Sequence, residues 1–197
     1  MEGRPGEASQ LVGILALQGD FEAHARIVRG LEAQPREVRT PEDLDGLDAL
    51  IIPGGESTVM TLGVQREGLV EPLRALASRI PVLGTCAGMI MLDREHLGVL
   101  DIRTSRNAFG RQLHSFESDV ELDGIPGGPV HAVFIRAPWV AEHGPDVEVL
   151  GRVAGHPVAV RQGNVVAVSF HPELSGEIRL HQLLVAGNAR PAAHRSG

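Results

Sequence analysis

The chain has only one cysteine, Cys86, so it can build neither an internal disulfide framework nor a multi-cysteine zinc site. Its nine histidines are scattered and no H-E-x-x-H pair occurs, so no metal and no cofactor are expected. A basic run is missing and the net charge is -7, which argues against general affinity for nucleic acid. The G-x-x-x-x-G-K phosphate loop is absent as well. No apolar stretch approaches the ~20 residues that span a bilayer, and nothing reads as a signal peptide. These absences suggest a cytoplasmic protein, where a lone thiol stays reduced. Without repeats, low-complexity tracts or linkers, one domain is expected over residues 11–187, with flexible tails at 1–10 and 188–197.

What is present is a chain with 43% hydrophobic residues. At this length a domain buries roughly 70% of its extended surface, enough for a full core. Continuous apolar runs at 11–17, 48–52, 80–83 and 165–170 read as buried parallel strands, and 36–39 as a shorter one. Residues 20–33 carry Phe21, Ala25, Val28 and Leu31 at helical spacing, with Asp20 as a cap. Further helices are expected after Ser57, over 69–78, from 89 and over 177–185. Shorter strands at 99–104, 113–121, 130–136, 147–153 and 158–161 suggest an antiparallel addition. Alternating strands and helices predict an α/β fold: three layers, a flavodoxin-like, mixed but mostly parallel sheet flanked by helices.

Cys86 lies in Gly84-Thr85-Cys86-Ala87-Gly88, between a predicted strand and a predicted helix. A sharp strand-to-helix turn pushes the sulfur out of the sheet, and the amide N–H groups at the helix start favour the thiolate. Phe170-His171-Pro172-Glu173 ends the last apolar run. In extended chain His171 and Glu173 project to the same side, beyond the carboxyl edge where open α/β sheets bind ligands. A thiol, a base and a carboxylate to orient the base are the minimal parts of a nucleophilic triad. Taken singly, each has an ordinary reading: a small core hydrophobe and a surface His-Pro-Glu. Pro53-Gly54-Gly55-Glu56-Ser57-Thr58 follows another strand. It could supply an N–H that joins Ala87 in stabilising an oxyanion, or serve as a turn with Ser57 or Thr58 as helix cap.

These motifs, in this order and with Ala16-Leu17-Gln18-Gly19-Asp20 after the first strand, resemble a triad (class I) glutamine amidotransferase. More narrowly, residues 12–185 resemble the PdxT/SNO family, the glutaminase subunits of two-component pyridoxal 5'-phosphate synthases. Arg106-Asn107-Ala108-Phe109-Gly110-Arg111-Gln112 and Phe134-Ile135-Arg136-Ala137-Pro138 carry the narrower likeness. The resemblance implies Cys86 as nucleophile, His171 as base and Glu173 as orienting carboxylate. It implies glutamine contacts at Gly55, Glu56, Ser57, Arg106, Ile135 and Arg136, and oxyanion donors at Gly55 and Ala87. Gln18 matches a residue near the interface with the synthase partner. The implied reaction is hydrolysis of L-glutamine to glutamate and ammonia, which is channelled to that partner in a large ring-shaped hetero-oligomer. Docking of the synthase is expected to order the Gly54-Gly55 peptide. Two departures stand out: Ala16 where many relatives carry glycine, and a short Asp93-Arg94-Glu95-His96-Leu97-Gly98 segment. Two other readings stay open here, a triad glutaminase serving another ammonia acceptor and a non-catalytic cysteine sensor or binding domain. Among the remaining histidines, His24 is a candidate for the interface by its nearness to Gln18; His96, His114, His131, His143, His156 and His181 read as ordinary.

Overall fold

The computed structural model describes residues 9–106 and 115–186. Residues 1–8 of the expected N-terminal tail, the C-terminal tail 188–197 and residues 107–112 of the arginine-rich block lie outside them. Five strands run parallel: β1 (Leu11–Leu15), β2 (Gln34–Val38), β3 (Ala49–Ile52), β4 (Val82–Thr85) and β11 (Val165–Val168). β10 (His156–Gln162) and β9 (Glu148–Val153) extend the sheet antiparallel beyond β11. The order β2-β1-β3-β4-β11-β10-β9 begins as a flavodoxin sheet does.

The parallel strands read as continuous apolar runs because both of their faces are covered. Successive residues alternate between two cores: Leu50 and Ile52 of β3 enter one, Ala49 and Ile51 the other. The first core is closed by Met60 and Val64 of α2 (Ser57–Arg66), Leu73 of α3 (Val70–Ala77), and Met89 and Met91 of α4 (Ala87–Leu92). The second is closed by Ala25 and Val28 of α1 (Phe21–Gly30), Leu180 and Leu184 of α6 (Arg179–Ala186), and a β-hairpin. This is the three-layer arrangement expected. Asp20 caps α1 as predicted, its carboxylate accepting from the Ala23 N–H at 3.3 Å.

The second half departs from expectation in three ways. Of the shorter strands expected there, only β9 and β10 join the main sheet. β6 (Ser115–Val120) and β7 (Val130–Ile135) form a separate hairpin, and β5 (Ile102–Ser105) pairs with β8 (Trp139–His143), a strand the sequence reading lacked. The hairpin strands are buried at alternate positions, so they lay one face on the core and turn the other outward. Phe134 of β7 stacks on Phe116 at 4.5 Å between ring centres and meets Phe170 edge-on at 5.6 Å. The third difference concerns His-Pro-Glu. β11 stops at Val168, and Pro172 opens a short helix, α5 (Pro172–Ser175), rather than ending an extended run. Proline's fixed φ suits a first helical position, where its missing N–H has no acceptor to lose. Among the described residues no helix is long and apolar enough to cross a membrane.

Candidate active site

Three neighbouring parallel strands deliver three motifs to one edge. β4 lies between β3 and β11, with Gly84 opposite Ile52 and Thr85 opposite Val168. The chain leaves β3 into Pro53-Gly54-Gly55, β4 into Cys86, and β11 toward His171. Cys86 donates its N–H to the Val168 carbonyl at 2.8 Å, tying the elbow to the strand that leads to the base. Its backbone sits at φ 48°, ψ -108°, a region that side-chain-bearing residues rarely adopt. Packing enforces that turn. α4 starts so close to β3 that a Cβ on Gly88 would lie 1.9 Å from the Ile52 carbonyl oxygen. Ala87, the first residue of α4, is buried. Its N–H belongs to the opening turn, where no intrahelical acceptor exists.

Behind the sulfur, His171 Nδ1 and Glu173 Oε1 are 2.7 Å apart. The first turn of α5, not an extended strand, brings the two side chains together, and the His171 N–H donates to the Val133 carbonyl of β7 at 2.9 Å. Burial pulls the His171 pKa down, but hydrogen bonds with Cys86 and Glu173 outweigh it, and the group is pushed up to about 10. That direction favours the imidazolium form between sulfur and carboxylate. Burial pushes Glu173 up, but the opposing influences, the His171 hydrogen bond first among them, overcome it and hold the carboxyl below its ordinary range.

Gly54 fits between the two catalytic candidates. A Cβ there would stand 2.5 Å from His171 Cε1 and 3.4 Å from Cys86 Cβ. The next residue, Gly55, has φ 154° and is exposed. Gln18 reaches across from the end of β1, and its Oε1 accepts the Glu56 N–H. Gln18 thus braces the glycine turn from within this chain. The helix cap is neither Ser57 nor Thr58 but Glu56, whose carboxylate accepts from the N–H groups of Thr58 (3.0 Å) and Val59 (2.9 Å). Those two amides hold the Glu56 carboxyl below its usual range. Ser57, the first residue of α2, is buried.

The β7 hairpin covers the sulfur from the other side. Ile135 ends β7 half-open to solvent, and its carbonyl oxygen is 3.7 Å from Cys86 Sγ. Arg136 follows at φ 47°, exposed. Arg106 lies over the start of α2, with Nη1 3.4 Å from Thr58 Oγ1 and Nη2 donating to His96 Nε2 at 3.1 Å. His96 donates in turn from Nδ1 to buried Asp93 at 2.7 Å, and Asp93 also accepts from Thr104 Oγ1 at 2.6 Å. The short 93–98 segment thereby anchors a guanidinium; Arg74 of α3 ties it down, donating to the Leu97 carbonyl at 2.6 Å.

Two residues read as ordinary or superficial are neither. His24 and His181 are fully buried, and His24 abuts Glu173 rather than reaching the surface. The helical period contained the signal: positions 21, 24, 25 and 28 share a face of α1, which places His24 among the core residues. Among the described residues no group of His, Cys, Asp and Glu side chains could hold a metal.

Comparison with known proteins bears on this site. The model of the SNO glutamine amidotransferase family matches residues 14–189. The chain is 54% identical over 188 residues to a Mycolicibacterium vanbaalenii protein named pyridoxal 5'-phosphate synthase subunit PdxT, covering 89% of this chain and 96% of that protein. A protein of the same name from Acidothermus cellulolyticus is 55% identical over 190 residues, covering 89% and 92%. A crystal structure described as a glutamine amidotransferase superposes with a TM-score of 0.83 at 46% identity, over 89% of this chain and 98% of that one. The PurLQS structure from Thermotoga maritima, at 17% identity and a TM-score of 0.69 over 92% and 99% of the two chains, shares the fold.

Proposed function

Because the chain belongs to the SNO glutamine amidotransferase family, we propose that it hydrolyses L-glutamine to L-glutamate and ammonia as the glutaminase subunit of a pyridoxal 5'-phosphate synthase, with Cys86, His171 and Glu173 as its triad. The observation that carries this reading is the meeting of thiol, imidazole and carboxylate past the ends of adjacent strands β4 and β11.

The chemistry follows from that arrangement. With His171 protonated, the sulfur is the nucleophile and attacks the side-chain amide carbon of glutamine. The carbonyl oxygen takes the electron pair and is held by the N–H groups of Ala87 and Gly55. Removing one such donor costs about 2.7–4 kcal/mol in the barrier. As the tetrahedral species collapses, the C–N bond breaks and the nitrogen takes the His171 proton, leaving as ammonia. Water then attacks the thioester, His171 accepts its proton, and the C–S bond breaks to release glutamate. Glu173 keeps the Nδ1 proton of His171 pointed away from the sulfur and stabilises the imidazolium.

The substrate's remaining groups have partners nearby. Arg106, anchored through His96 and Asp93, suits the α-carboxylate; Glu56, Ser57, Ile135 and Arg136 line the approach. Ammonia freed into neutral water becomes ammonium, which is no nucleophile, so it must pass through a dry channel into the synthase subunit. A large ring-shaped hetero-oligomer with that subunit is the assembly this reading expects, with Gln18 at the junction and the Gly54-Gly55 peptide ordered by docking. The unpaired Cys86 thiol suits the cytoplasm.

The test is reconstitution with the cognate synthase subunit. Glutamine should support pyridoxal 5'-phosphate formation, and Cys86→Ala should abolish this while a high concentration of ammonium salt, through its small fraction of free ammonia, restores it. A Cys86→Ala complex that still releases ammonia from glutamine would refute the nucleophile. Equal glutaminase rates with and without the partner would remove the gating.

A further inference from the structure

A line of side chains continues past the triad into the second core. Glu173 has two oxygens and is almost wholly buried: Oε1 serves His171, and Oε2 has no hydrogen bond of ordinary geometry. The group facing Oε2 is His24 Nε2, 3.4 Å away and also 3.4 Å from Thr85 Oγ1. On its other side, His24 Nδ1 lies 2.9 Å from His181 Nε2 of α6. None of the steps above uses either histidine.

We propose that His24, held in place by His181, is a positioning residue for the triad: it engages the Glu173 oxygen that His171 leaves free and so fixes the plane of the carboxylate. This rests on the triad reading above and adds a fourth and fifth member behind it.

A buried carboxylate is costly unless both oxygens are satisfied. Here the charged form persists, so a donor must face Oε2. Electrostatics then selects the tautomers. If His24 carried its proton on Nδ1, a lone pair would face the anion. With the proton on Nε2, it points at Glu173 and Thr85, and Nδ1 accepts from His181 Nε2–H. The groups facing the pair are Glu173, His171 and Asp20 around His24, and Glu173 and Glu177 around His181. Burial is the largest influence on both rings and drives each below the ordinary histidine value, His181 down to about 3. That favours the neutral form of both, which suits the task. A cation at position 24 would compete with the His171 imidazolium for the same carboxylate, whereas a neutral N–H orients without competing. The contact is longer than a normal hydrogen bond, as catalytic contacts in ligand-free enzymes often are.

The experiment has two arms. In the first, histidine-labelled wild-type protein is examined by NMR. His24 should be a neutral imidazole protonated on Nε2 at pH 7, and the His171 Nδ1 proton should resonate far downfield. An Nδ1-protonated or cationic His24 would overturn the proposal whatever the variants do, without touching the triad reading. In the second, His24→Leu and His24→Gln are assayed in complex with the synthase. By analogy with the groups that orient metal-ligating histidines, whose loss costs about 10–100-fold, His24→Leu should lower kcat by that range with KM within about twofold, and should broaden or shift the His171 Nδ1 resonance. His24→Gln, whose amide can donate from a similar reach, should recover most of the rate. A folded His24→Leu with wild-type kcat, or a His24→Gln as slow as His24→Leu, would sink the idea. Loss of all wild-type glutaminase activity would instead indict the triad reading itself.

Discussion

The five parallel strands and the antiparallel strands added to them serve the site in different ways. In the parallel half, main chain packs without spare room: α4 rests on the Ile52 carbonyl, and the Gly54 peptide passes against the His171 and Cys86 side chains. In the antiparallel half, β7 brings a side-on carbonyl and two exposed side chains, Ile135 and Arg136. The first half packs so tightly around Cys86 and His171 that an added carbon at Gly88 or Gly54 has no room. The second covers them and leaves one face free to vary. The lesson is that precision here comes from close approach of main chain, and contact chemistry from hairpins laid over it.

The sharpest way to break this comparison is to add one methyl group to each half. Gly88→Ala drives Cβ to 1.9 Å from the Ile52 carbonyl oxygen, and neither backbone can retreat without opening the sheet edge. A loss of about 3–5 kcal/mol is expected in urea unfolding, at the severe end for single substitutions. Gly128→Ala, in the turn between β6 and β7, meets nothing within 4 Å and suffers only from its φ of 79°, a cost of about 1–2 kcal/mol. Similar losses at the two positions would erase the distinction between the halves.

The two halves were also unequally legible in the sequence. β1, β3, β4 and β11 announce themselves because two buried faces demand unbroken apolar runs. β8 does not: Trp139 and Val140 follow Ala137-Pro138 and give way to exposed residues, a pattern that reads as turn. Cys86 was placed by its flanking glycines. Glu173 was placed next to His171 for a partly wrong reason, since α5, not an extended strand, joins them. In the sequence His24 reads as an interface candidate and His181 as ordinary, because they are 157 positions apart and nothing local links them. Only the packing of α1 against α6 and α5 reveals what they share.

Those buried histidines set up the next contrast, in acid. Their folded pKa values lie below the unfolded value of about 6.5, so as pH drops the unfolded chain binds protons that the folded chain refuses. Stability should therefore fall from about pH 6.5 downward, by up to about 1.4 kcal/mol per pH unit for each histidine, and for His181 on toward about 3. Between pH 6.5 and 5 the carboxylates are still ionised, so the slope there comes from histidines, and removing this pair shows its share. Urea unfolding of wild type should show the slope, and a His24→Gln, His181→Gln double variant should be flatter. Parallel lines for the two proteins would mean that other groups carry the acid sensitivity.

His131 supplies the opposite case and the smallest effect. It stands on the outer face of β7, with Nδ1 2.9 Å from Asp119 and Nε2 3.1 Å from Glu117, both on β6. Its hydrogen bonds with Asp119, then Glu117, raise its pKa. A raised value stabilises the hairpin below about pH 6.5 and ceases to do so as pH climbs through the folded pKa, the reverse of His24 and His181. But the ring and both carboxylates are more than half exposed, so water and salt screen the attraction. His131→Ala should leave Tm within about a degree at physiological ionic strength, since exposed pairs contribute little. The charge should still be visible by NMR, with a titration midpoint above 6.5 that slides back as salt is added. A midpoint at or below 6.5, or a drop of several degrees in Tm, would show that the outer face of the hairpin is tied into the core after all.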